Sequence, residues 1–366
     1  MEKKIEKMIE NTWYVVLDSA EVPKNQPLGV MRFGLRMVFW RDQDGQVHAQ
    51  EDRCCHRGAQ LSKGTVVEGC IECPFHGWRF DGKGACVLVP SNGRSAPIPN
   101  SFRLRNFAVQ EKYGWIWLFW SSSELQEDAL PNIEYFAELQ SPSWKTHTLQ
   151  DLWPVHYTRA IENQLDVTHL AFTHRRTIGN IKKPIVDGPV FVWKDEQTLC
   201  FFPVTQSDDG QIARKASEVK VDEPQGFLEF RFPNIWKLQI AANFYNFAAF
   251  VPVDESHSIT YVRLYQGFVT WPVLGDWVSA VMGWFNKRVL NEDRPMVLSQ
   301  LPIQSDIQMD EMLVKGDAPI IEFRKRRHEL LVAQQEKREP APITGRTNGD
   351  PAFLALVQKN SISGKK

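Results

Sequence analysis

The chain has 366 residues, enough for two domains of ordinary size and for a substantial core without disulfides. Its formal net charge is −1, with 43 basic and 44 acidic residues, so it lacks the basic excess typical of nucleic-acid-binding proteins. No stretch has the length and apolar character of a signal peptide or a membrane span, which predicts a cytoplasmic protein without a membrane-spanning helix.

Residues from about 12 to 120 predict short β-strands separated by turns. Aromatic and β-branched runs, such as Trp115 to Phe119, alternate with turn sequences such as Asp81-Gly82-Lys83-Gly84. This spacing is typical of a small all-β domain. A polar segment from Ser121 to Ser143 then predicts a connection to a second domain.

The rest of the chain predicts a mixed unit. A helical pattern covers about 154 to 173, strands return between about 188 and 270, and the pattern from about 276 to 335 is helical again. We therefore predict an α+β protein with two segregated units, residues 1–125 and 126–340, followed by a loose tail over residues 341–366.

Two cysteines and two histidines form the first motif. Cys54 and His56 lie in a Cys-Cys-His sequence, and Cys73 and His76 lie in Cys-Pro-Phe-His. Thiolates and imidazoles suit tetrahedral zinc, and they also suit a [2Fe–2S] cluster with two Cys and two His ligands. Zinc fingers usually place both Cys in one knuckle and both His in another. Here each loop supplies one Cys and one His, which favours the cluster.

The sequences CCHRGAQLSKG and CPFHGWRFDGKG resemble the two cluster-binding loops of the Rieske oxygenases. The resemblance implies that Cys54 and Cys73 bind one iron of a [2Fe–2S] cluster, and that His56 and His76 bind the other. It also implies the fold. An N-terminal all-β Rieske domain should precede an α+β catalytic domain, whose twisted antiparallel sheet is flanked by helices in a helix-grip-like arrangement.

The second motif is a mononuclear metal site in the helical segment 162–174. Asn163, Asp166 and His169 recur at intervals of three and share one helix face, whereas His174 follows His169 by five positions. A helix end or a π-bulge is needed to bring both imidazoles to one ion. After the first motif, the pair resembles the two His of a 2-His-1-carboxylate site, which binds iron(II) and leaves positions open for O2.

The third ligand must be a carboxylate from far along the chain. Among Glu292, Asp293, Asp306 and Asp310, the resemblance favours Asp293, the second of two acidic residues with a Gln a few positions later. Asp306 is the alternative. Pro295 is expected to occupy an early turn of the helix that carries Asp293.

The resemblance also implies roles for two other residues of the segment. Asp166 corresponds to a carboxylate that links an iron-ligating imidazole, here His169, to the cluster-ligating imidazole of a neighbouring subunit, here His76. It would thus be an inter-subunit electron-transfer bridge. Asn163 is expected near the iron without binding it. The basic run from Arg324 to Arg327 is expected to be a solvated helix face.

The implied function is that of the terminal component of a Rieske oxygenase, an oxidoreductase that takes electrons from a separate NAD(P)H-dependent reductase or ferredoxin and uses O2 to oxidise a small organic substrate. The length resembles homotrimeric subunits that hydroxylate or demethylate their substrates by monooxygenation. Apolar segments 244–250 and 271–285 are expected to line the pocket, which predicts an aromatic, heterocyclic or terpenoid-like substrate.

Three alternatives are also compatible with the sequence. The first is a ring dioxygenase that forms cis-dihydrodiols. The second is a Rieske electron carrier without oxygen chemistry, which would need only the first motif. The third is a zinc-binding interaction module, which would lack the visible absorption of an iron–sulfur cluster.

Overall fold

The computed structural model of the chain describes residues 5, 7–122, 130–220, 227–355 and 357. Its contacts divide the chain into two compact units, residues 1–133 with 252–255, and residues 134–251 with 256–366. The final residues 358–366 of the expected tail lie outside the described part of the chain.

The described residues of the first unit form three antiparallel sheets. One sheet has the strand order β1-β11-β10, the second β2-β3-β4-β9 and the third β5-β6-β7-β8. The strands are β1 (Thr12–Asp18), β2 (Leu28–Arg32), β3 (Leu35–Arg41), β4 (Val47–Glu51), β5 (Thr65–Val67), β6 (Cys70–Glu72), β7 (Arg79–Phe80), β8 (Cys86–Leu88), β9 (Asn106–Phe107), β10 (Val109–Lys112) and β11 (Trp115–Trp120).

Strand β11 forms the centre of the first sheet because every one of its six residues is apolar and buried. A two-residue turn, Tyr113-Gly114, joins it to β10, and both turn residues have positive φ angles, 59° and 75°. Positive φ at both positions is the conformation of a type I′ hairpin turn, whose twist matches that of the flanking strands.

The second unit contains a seven-stranded sheet in the order β12-β18-β17-β16-β15-β14-β13, with antiparallel pairing. Helices α1 to α4 accompany it in the described part of the chain. The elements are β12 (Lys145–Trp153), α1 (Tyr157–Leu165), α2 (Leu170–Thr173), β13 (Ile185–Trp193), β14 (Thr198–Gln206), β15 (Leu228–Arg231), β16 (Ile235–Ala241), β17 (Phe244–Asp254), β18 (His257–Gln266), α3 (Pro272–Leu298) and α4 (Ala318–Gln335). The predicted fold class, an all-β unit followed by an α+β unit, is confirmed.

Helix α3 packs on β12 through small residues. Gly275, Ser279 and Gly283 recur every four positions and are buried, and a Cβ on Gly283 would lie 2.1 Å from the His147 ring. The large apolar side chains of the same helix therefore point away from the sheet, and Trp277 and Trp284 are 64 % and 67 % exposed. We expected residues 271–285 to line an internal pocket, but their bulky members lie on the outer surface of the unit.

The helices differ from the sequence pattern at several points. The predicted helix over 154–173 is interrupted after Leu165, so Asp166 and His169 do not share the face of one continuous helix. Helix α3 extends through Pro295 to Leu298, which places Pro295 in its last turns rather than its first. Pro295 has no N–H to donate to the carbonyl of Asn291 four positions earlier, so one backbone hydrogen bond of the helix is missing there.

Two segments expected to be loose or solvated are packed. In the basic run, Arg324 and Arg326 are 6 % and 1 % exposed, because acidic residues of other elements pair with them. In the expected tail, Phe353 is 1 % exposed, and Thr347 donates a hydrogen bond to the carbonyl of Phe191 on β13. The expectation of a loose tail therefore does not hold for residues 343–355. No helix of the described residues is long and apolar enough to cross a membrane.

Candidate metal centres

Three side chains of the second unit converge on one point. The Nε2 atoms of His169 and His174 are 3.2 Å apart, and Asp293 Oδ1 lies 2.9 Å from His174 Nε2 and 3.4 Å from His169 Nε2. Only 2 % of the side chains of His174 and Asp293 is exposed, against 16 % for His169. The structure thus brings together the two histidines and the carboxylate that the sequence favoured.

The break between α1 and α2 brings the two imidazoles together. Asp166 ends α1 with an extended backbone, φ −72° and ψ 117°. Its Oδ1 accepts hydrogen bonds from the backbone N–H and hydroxyl of Thr168 and from the backbone N–H of His169, which starts the short helix α2. This capping interaction turns the chain. His174 ends α2, so both imidazoles flank a single helical turn.

The three ligand atoms fit one face of an octahedral ion. Ligand bonds of about 2.1 Å at right angles would separate neighbouring ligand atoms by about 3.0 Å, and the observed separations are 2.9, 3.2 and 3.4 Å. Oδ1 of Asp293 is buried and has no hydrogen-bond partner among the described residues. A buried carboxylate oxygen without a partner is costly, and a bound cation would compensate it.

The electrostatics of the cluster also favour a cation. Burial lowers the pKa of His169, but the carboxylates of Asp166 and Asp293 outweigh burial and raise that pKa to about 9. Burial acts to raise the pKa of Asp293, yet the two facing imidazoles hold it below its usual value. The site therefore carries a negative potential that attracts a proton or a metal ion. Two imidazole nitrogens 3.2 Å apart cannot both be protonated without repulsion.

The other acidic candidates lie elsewhere. Glu292 contacts the opposite nitrogen of the His174 ring, Nδ1, at 3.0 Å, and does not point at the cluster of ligand atoms. The group of side chains able to hold one metal includes Asp293 and not Asp306 or Asp310. Asp293 as the iron ligand remains a proposal, and this geometry supports it over the alternatives.

Asp166 and Asn163 lie on the α1 side of the cluster. Asp166 Oδ2 is 3.6 Å from His169 Nδ1, which is close enough for a charge interaction but too long for a hydrogen bond. Its side chain is 28 % exposed, so it is partly accessible to solvent. The Nδ2 atom of Asn163 is buried without a hydrogen-bond partner among the described residues. The roles of both residues stay predictions.

The two predicted cluster loops of the first unit have the same backbone conformation. In each loop the carbonyl of the Cys accepts from a Gly four positions later, Gly58 for Cys54 at 2.9 Å and Gly77 for Cys73 at 3.0 Å. In each loop the N–H of the Cys donates to the carbonyl five positions later at 2.8 Å. Both Gly residues have positive φ, 73° and 70°, which a residue with a Cβ rarely adopts.

The side chains of these loops divide into an inner and an outer pair. Cys54 and Cys73 are each 2 % exposed, and burial and the neighbouring Cys73 raise the pKa of Cys54 to about 12. The imidazoles of His56 and His76 are exposed and 4.6 Å apart between ring centroids. Two adjacent buried thiols with two surface imidazoles suit a [2Fe–2S] cluster with one Cys-bound and one His-bound iron.

Sequence reasoning missed a buried ionic ring behind α1. Glu162 accepts from Arg159 at 3.0 Å and from Arg324 at 2.6 Å, and Glu311 accepts from the same two arginines at 2.9 and 2.8 Å. The ring ties α1, which leads into the metal site, to α4 and to the segment before it. Glu162 lies one helical turn before Asp166, but the sequence contains no signal that pairs it with residues 162 positions away.

Comparisons with known proteins match a domain family in each half of the chain. Residues 12–108 match the Rieske [2Fe-2S] domain, and residues 153–333 match the vanillate O-demethylase oxygenase C-terminal domain. Methylxanthine N1-demethylase NdmA of Pseudomonas putida is 29 % identical over 352 residues, which are 90 % of this chain and 91 % of that protein. The structure of NdmA has a TM-score of 0.72 and 26 % identity, covering 92 % of this chain and 97 % of NdmA.

Other relatives match in part. Protein TIC 55 of Pisum sativum is 30 % identical over 60 % of this chain, and the chain spans only 38 % of that protein. The chain likewise spans 26 % of chlorophyllide a oxygenase of Chlamydomonas reinhardtii, which is 37 % identical over 175 residues.

The two domain matches, one in each half of the chain, define an oxygenase of the Rieske class, whose members carry a [2Fe–2S] cluster and a mononuclear iron. The chain belongs to the Rieske non-haem iron oxygenase family. The expected cofactors, a [2Fe–2S] cluster and a mononuclear iron, are thereby confirmed for the family to which the chain belongs. Their assignment to individual residues is a proposal.

Proposed function

We propose that this chain is the terminal component of a monooxygenase system that hydroxylates or demethylates a small aromatic or heterocyclic compound with O2. The convergence of His169, His174 and Asp293 within one buried cluster carries this proposal, because a Rieske electron carrier would not need it. Cys54, His56, Cys73 and His76 would hold the electron-storing cluster.

The overall reaction consumes one O2, two electrons and two protons. One oxygen atom enters a C–H bond of the substrate, and the other leaves as water. When the carbon is a methyl group on nitrogen or oxygen, the hydroxymethyl product releases formaldehyde and leaves N–H or O–H. A mononuclear iron supplies the O2-binding and O2-reducing chemistry when it is bound at a site with open coordination positions.

The chain's own residues would prepare that site. His169 and His174 would present their Nε2 atoms, and Asp293 its Oδ1, on one side, so that the opposite side stays open to substrate and O2. Burial of His174 and Asp293 at 2 % exposure keeps bulk water away from the protein side of the site. Asp166 would hold the Nδ1 side of His169 and orient that ring.

The substrate class is proposed from the relatives and from the apolar character of the unit. NdmA and NdmB are methylxanthine demethylases, and aminopyrrolnitrin oxygenase PrnD of Pseudomonas fluorescens is 31 % identical over 180 residues. Strand β17 contributes buried aromatic residues, Phe247 and Phe250, to the unit that contains the metal cluster. We therefore place N- and O-methylated heterocycles and arenes first among candidate substrates.

The decisive experiment is metal analysis followed by a substrate screen. Anaerobically reconstituted protein should contain three irons per chain and show the visible absorption of a Rieske cluster. Methylated heterocycles and arenes, supplied with NADH and a generic reductase, should give substrate-dependent O2 uptake with formaldehyde as a product. Protein that binds only the paired irons of the cluster would support the electron carrier. Formation of cis-dihydrodiols would support the ring dioxygenase. A colourless protein that contains zinc and no iron would refute the oxygenase and these two alternatives.

A basic groove beside the cluster loops supports the proposal that the electron donor has an acidic surface. The groove has a volume of about 320 Å³ and is lined by Cys54 and His56, which are the proposed ligands of the two different irons of the cluster. Four arginines and one acidic residue, Glu51, line the rest of its charged wall; the arginines are Arg53, Arg57, Arg103 and Arg105. None of these arginines has an ion pair among the described residues, although the whole chain is close to neutral. Opposite charges steer encounter between proteins, so a ferredoxin or reductase with an acidic face fits here.

Reduction kinetics test this donor. Arg53→Gln with Arg105→Gln should slow reduction of the cluster by an acidic plant-type ferredoxin and weaken its dependence on salt, while reduction by dithionite stays unchanged. Arg79→Gln is the matched control, because Arg79 is already paired with Glu68 and Glu72. Equal rates and salt dependence in all variants would refute the groove as the donor site.

The proposed assembly is a homotrimer in which each subunit's cluster serves the iron of the next subunit. A head-to-tail interface closes naturally into a ring. The outward apolar face of α3, with Trp277 and Trp284, supports an assembly, because isolated proteins rarely expose a large contiguous apolar surface. Sedimentation equilibrium should give three times the chain mass. The cytoplasmic location expected from the sequence remains a prediction.

A further inference from the structure

Two adjacent acidic residues of α3 contact opposite edges of one imidazole. Asp293 lies 2.9 Å from His174 Nε2, and Glu292 Oε2 lies 3.0 Å from His174 Nδ1. The His174 side chain is only 2 % exposed. Asp293 and His169 contact its Nε2 atom, and Glu292 contacts its Nδ1 atom. A carboxylate can only accept a hydrogen bond, so Glu292 requires the proton of the neutral ring to be on Nδ1.

A proton on Nδ1 leaves Nε2 free to bind a metal. In metal sites, a carboxylate behind a ligating histidine fixes the tautomer and the ring orientation, and raises the basicity of the ligand. His169 lacks an equally close partner, since Asp166 Oδ2 is 3.6 Å from its Nδ1 and Asp166 Oδ1 is used by Thr168. Of the two histidines, His174 is therefore the one that is firmly oriented before a metal binds.

Glu292 is itself oriented by a turn that follows His174. The hydroxyl of Thr177 donates to Glu292 Oε2 at 2.6 Å. The backbone N–H groups of Thr177 and Gly179 both donate to the carbonyl of His174, at 2.9 and 2.8 Å, which folds the turn back onto α2. A Cβ on Gly179 would lie 2.0 Å from the Leu170 carbonyl, so only glycine allows the turn to close this far.

We propose that Glu292, held by Thr177, is a positioning residue that presets His174 for metal binding. This inference rests on the proposed function, because it assumes that His174 is an iron ligand. It assigns Glu292 a role distinct from that of its neighbour Asp293: Asp293 binds the metal directly, whereas Glu292 acts only through the imidazole. Thr177 completes the chain of hydrogen bonds and limits the rotation of the Glu292 carboxylate.

The test uses the full chain with its cluster reconstituted, and measures the mononuclear Fe(II) separately. Competition with a ferrous chelator gives the Fe(II) dissociation constant, and nitric oxide, used as a probe, gives an electron paramagnetic resonance signal that depends on ligand geometry. Glu292→Ala should weaken Fe(II) binding by about 10–100-fold and change that signal. Glu292→Gln retains an acceptor oxygen and should restore most of the affinity, and Thr177→Val should show a smaller loss than Glu292→Ala.

Asn291→Ala is the matched control, because Asn291 is the exposed neighbour on the same helix. Its affinity and signal should equal those of the wild type. If Glu292→Ala also loses the cluster absorption, the Gln and Thr177 variants decide the question. Wild-type affinity and signal in Glu292→Ala would overturn the positioning role alone. A wild-type chain that binds no mononuclear iron would instead overturn the proposed function.

Discussion

His174 and Asp293 are in contact inside the second unit, with 2.9 Å between the imidazole Nε2 and the carboxylate Oδ1. One residue ends the four-residue helix α2, and the other lies in the last turns of the 27-residue helix α3. Because both side chains are 2 % exposed, water cannot compensate the charge of the carboxylate. The contact is therefore stable only with a shared cation, either a proton or a metal.

Asp293→Ala should remove the mononuclear iron and the oxygenase activity while leaving the cluster intact. The substitution deletes one of three ligand atoms at the metal site, but the cluster loops belong to the other unit. Iron analysis and visible absorption of the anaerobically reconstituted protein measure both centres. Asp306→Ala is the control and should keep both the cluster and the mononuclear iron. If Asp306→Ala lost the mononuclear iron and Asp293→Ala kept it, Asp306 would be the third ligand instead.

Asp166→Asn should keep both metals and slow the transfer of electrons from the cluster to the iron. Asparagine is similar in shape, so its Oδ1 can still accept from Thr168, but the charge beside His169 is lost. Single-turnover oxidation of the reduced cluster, followed by its absorption in the presence of substrate and O2, measures this rate. A wild-type rate would remove the bridging role. Thr168→Val controls for the local turn.

Glu162→Ala should destabilise the second unit by about 3–5 kcal/mol, because two buried arginine charges would then be compensated by only one carboxylate. The substitution leaves Arg159 and Arg324 with one shared acceptor, Glu311, at exposures of only 2 % and 5 %. Urea unfolding followed by tryptophan fluorescence measures the change in the free energy of unfolding. Glu336→Gln, in an exposed pair with Arg338, should change it by less than about 0.5 kcal/mol. Similar effects in the two variants would contradict the ring's importance.

Stability should fall as the pH drops below about 6.5, partly because of His156. Burial, with a contribution from Arg327, lowers the pKa of His156 from 6.5 to about 3 in the folded chain. The unfolded chain therefore binds a proton in this range and the folded chain does not, so stability present above pH 6.5 is lost toward pH 3. The slope is about 1.4 kcal/mol per pH unit for this group.

His156→Asn isolates that effect. Asparagine can still cap α1, as His156 does by accepting from the Thr158 N–H, but it does not titrate. When the pH is lowered from 7 to 5.5, the free energy of unfolding of the wild type should fall by more than that of the variant. His328→Asn, at an exposed position, should show no such change. A parallel pH dependence of His156→Asn and wild type would contradict the assignment.

The metal-binding motifs were predictable because their ligands are close in the chain. Each proposed cluster loop contains a Cys and a His within four residues, and the short α1–α2 segment contains both histidines of the proposed iron site. Local turn geometry positions such ligands, and the residue types themselves reveal it: Gly58 and Gly77 at positive φ, and Asp166 at a helix end. The choice of Asp293 over its neighbours depended on family resemblance rather than on spacing.

Sequence patterns alone determined the order of the two units, the types of the metal ligands and the all-β character of the first unit, since each depends on residues adjacent in the chain. Only the tertiary structure decided that Asp293 contacts the Nε2 atoms of both histidines, whereas its neighbour Glu292 contacts Nδ1 on the far side of His174. It also decided that Arg324 of α4 is a buried partner of Glu162 and Glu311. Such contacts depend on how α3 and α4 pack against segments that are distant in the chain. Local sequence periodicity does not predict how one helix is rotated relative to another.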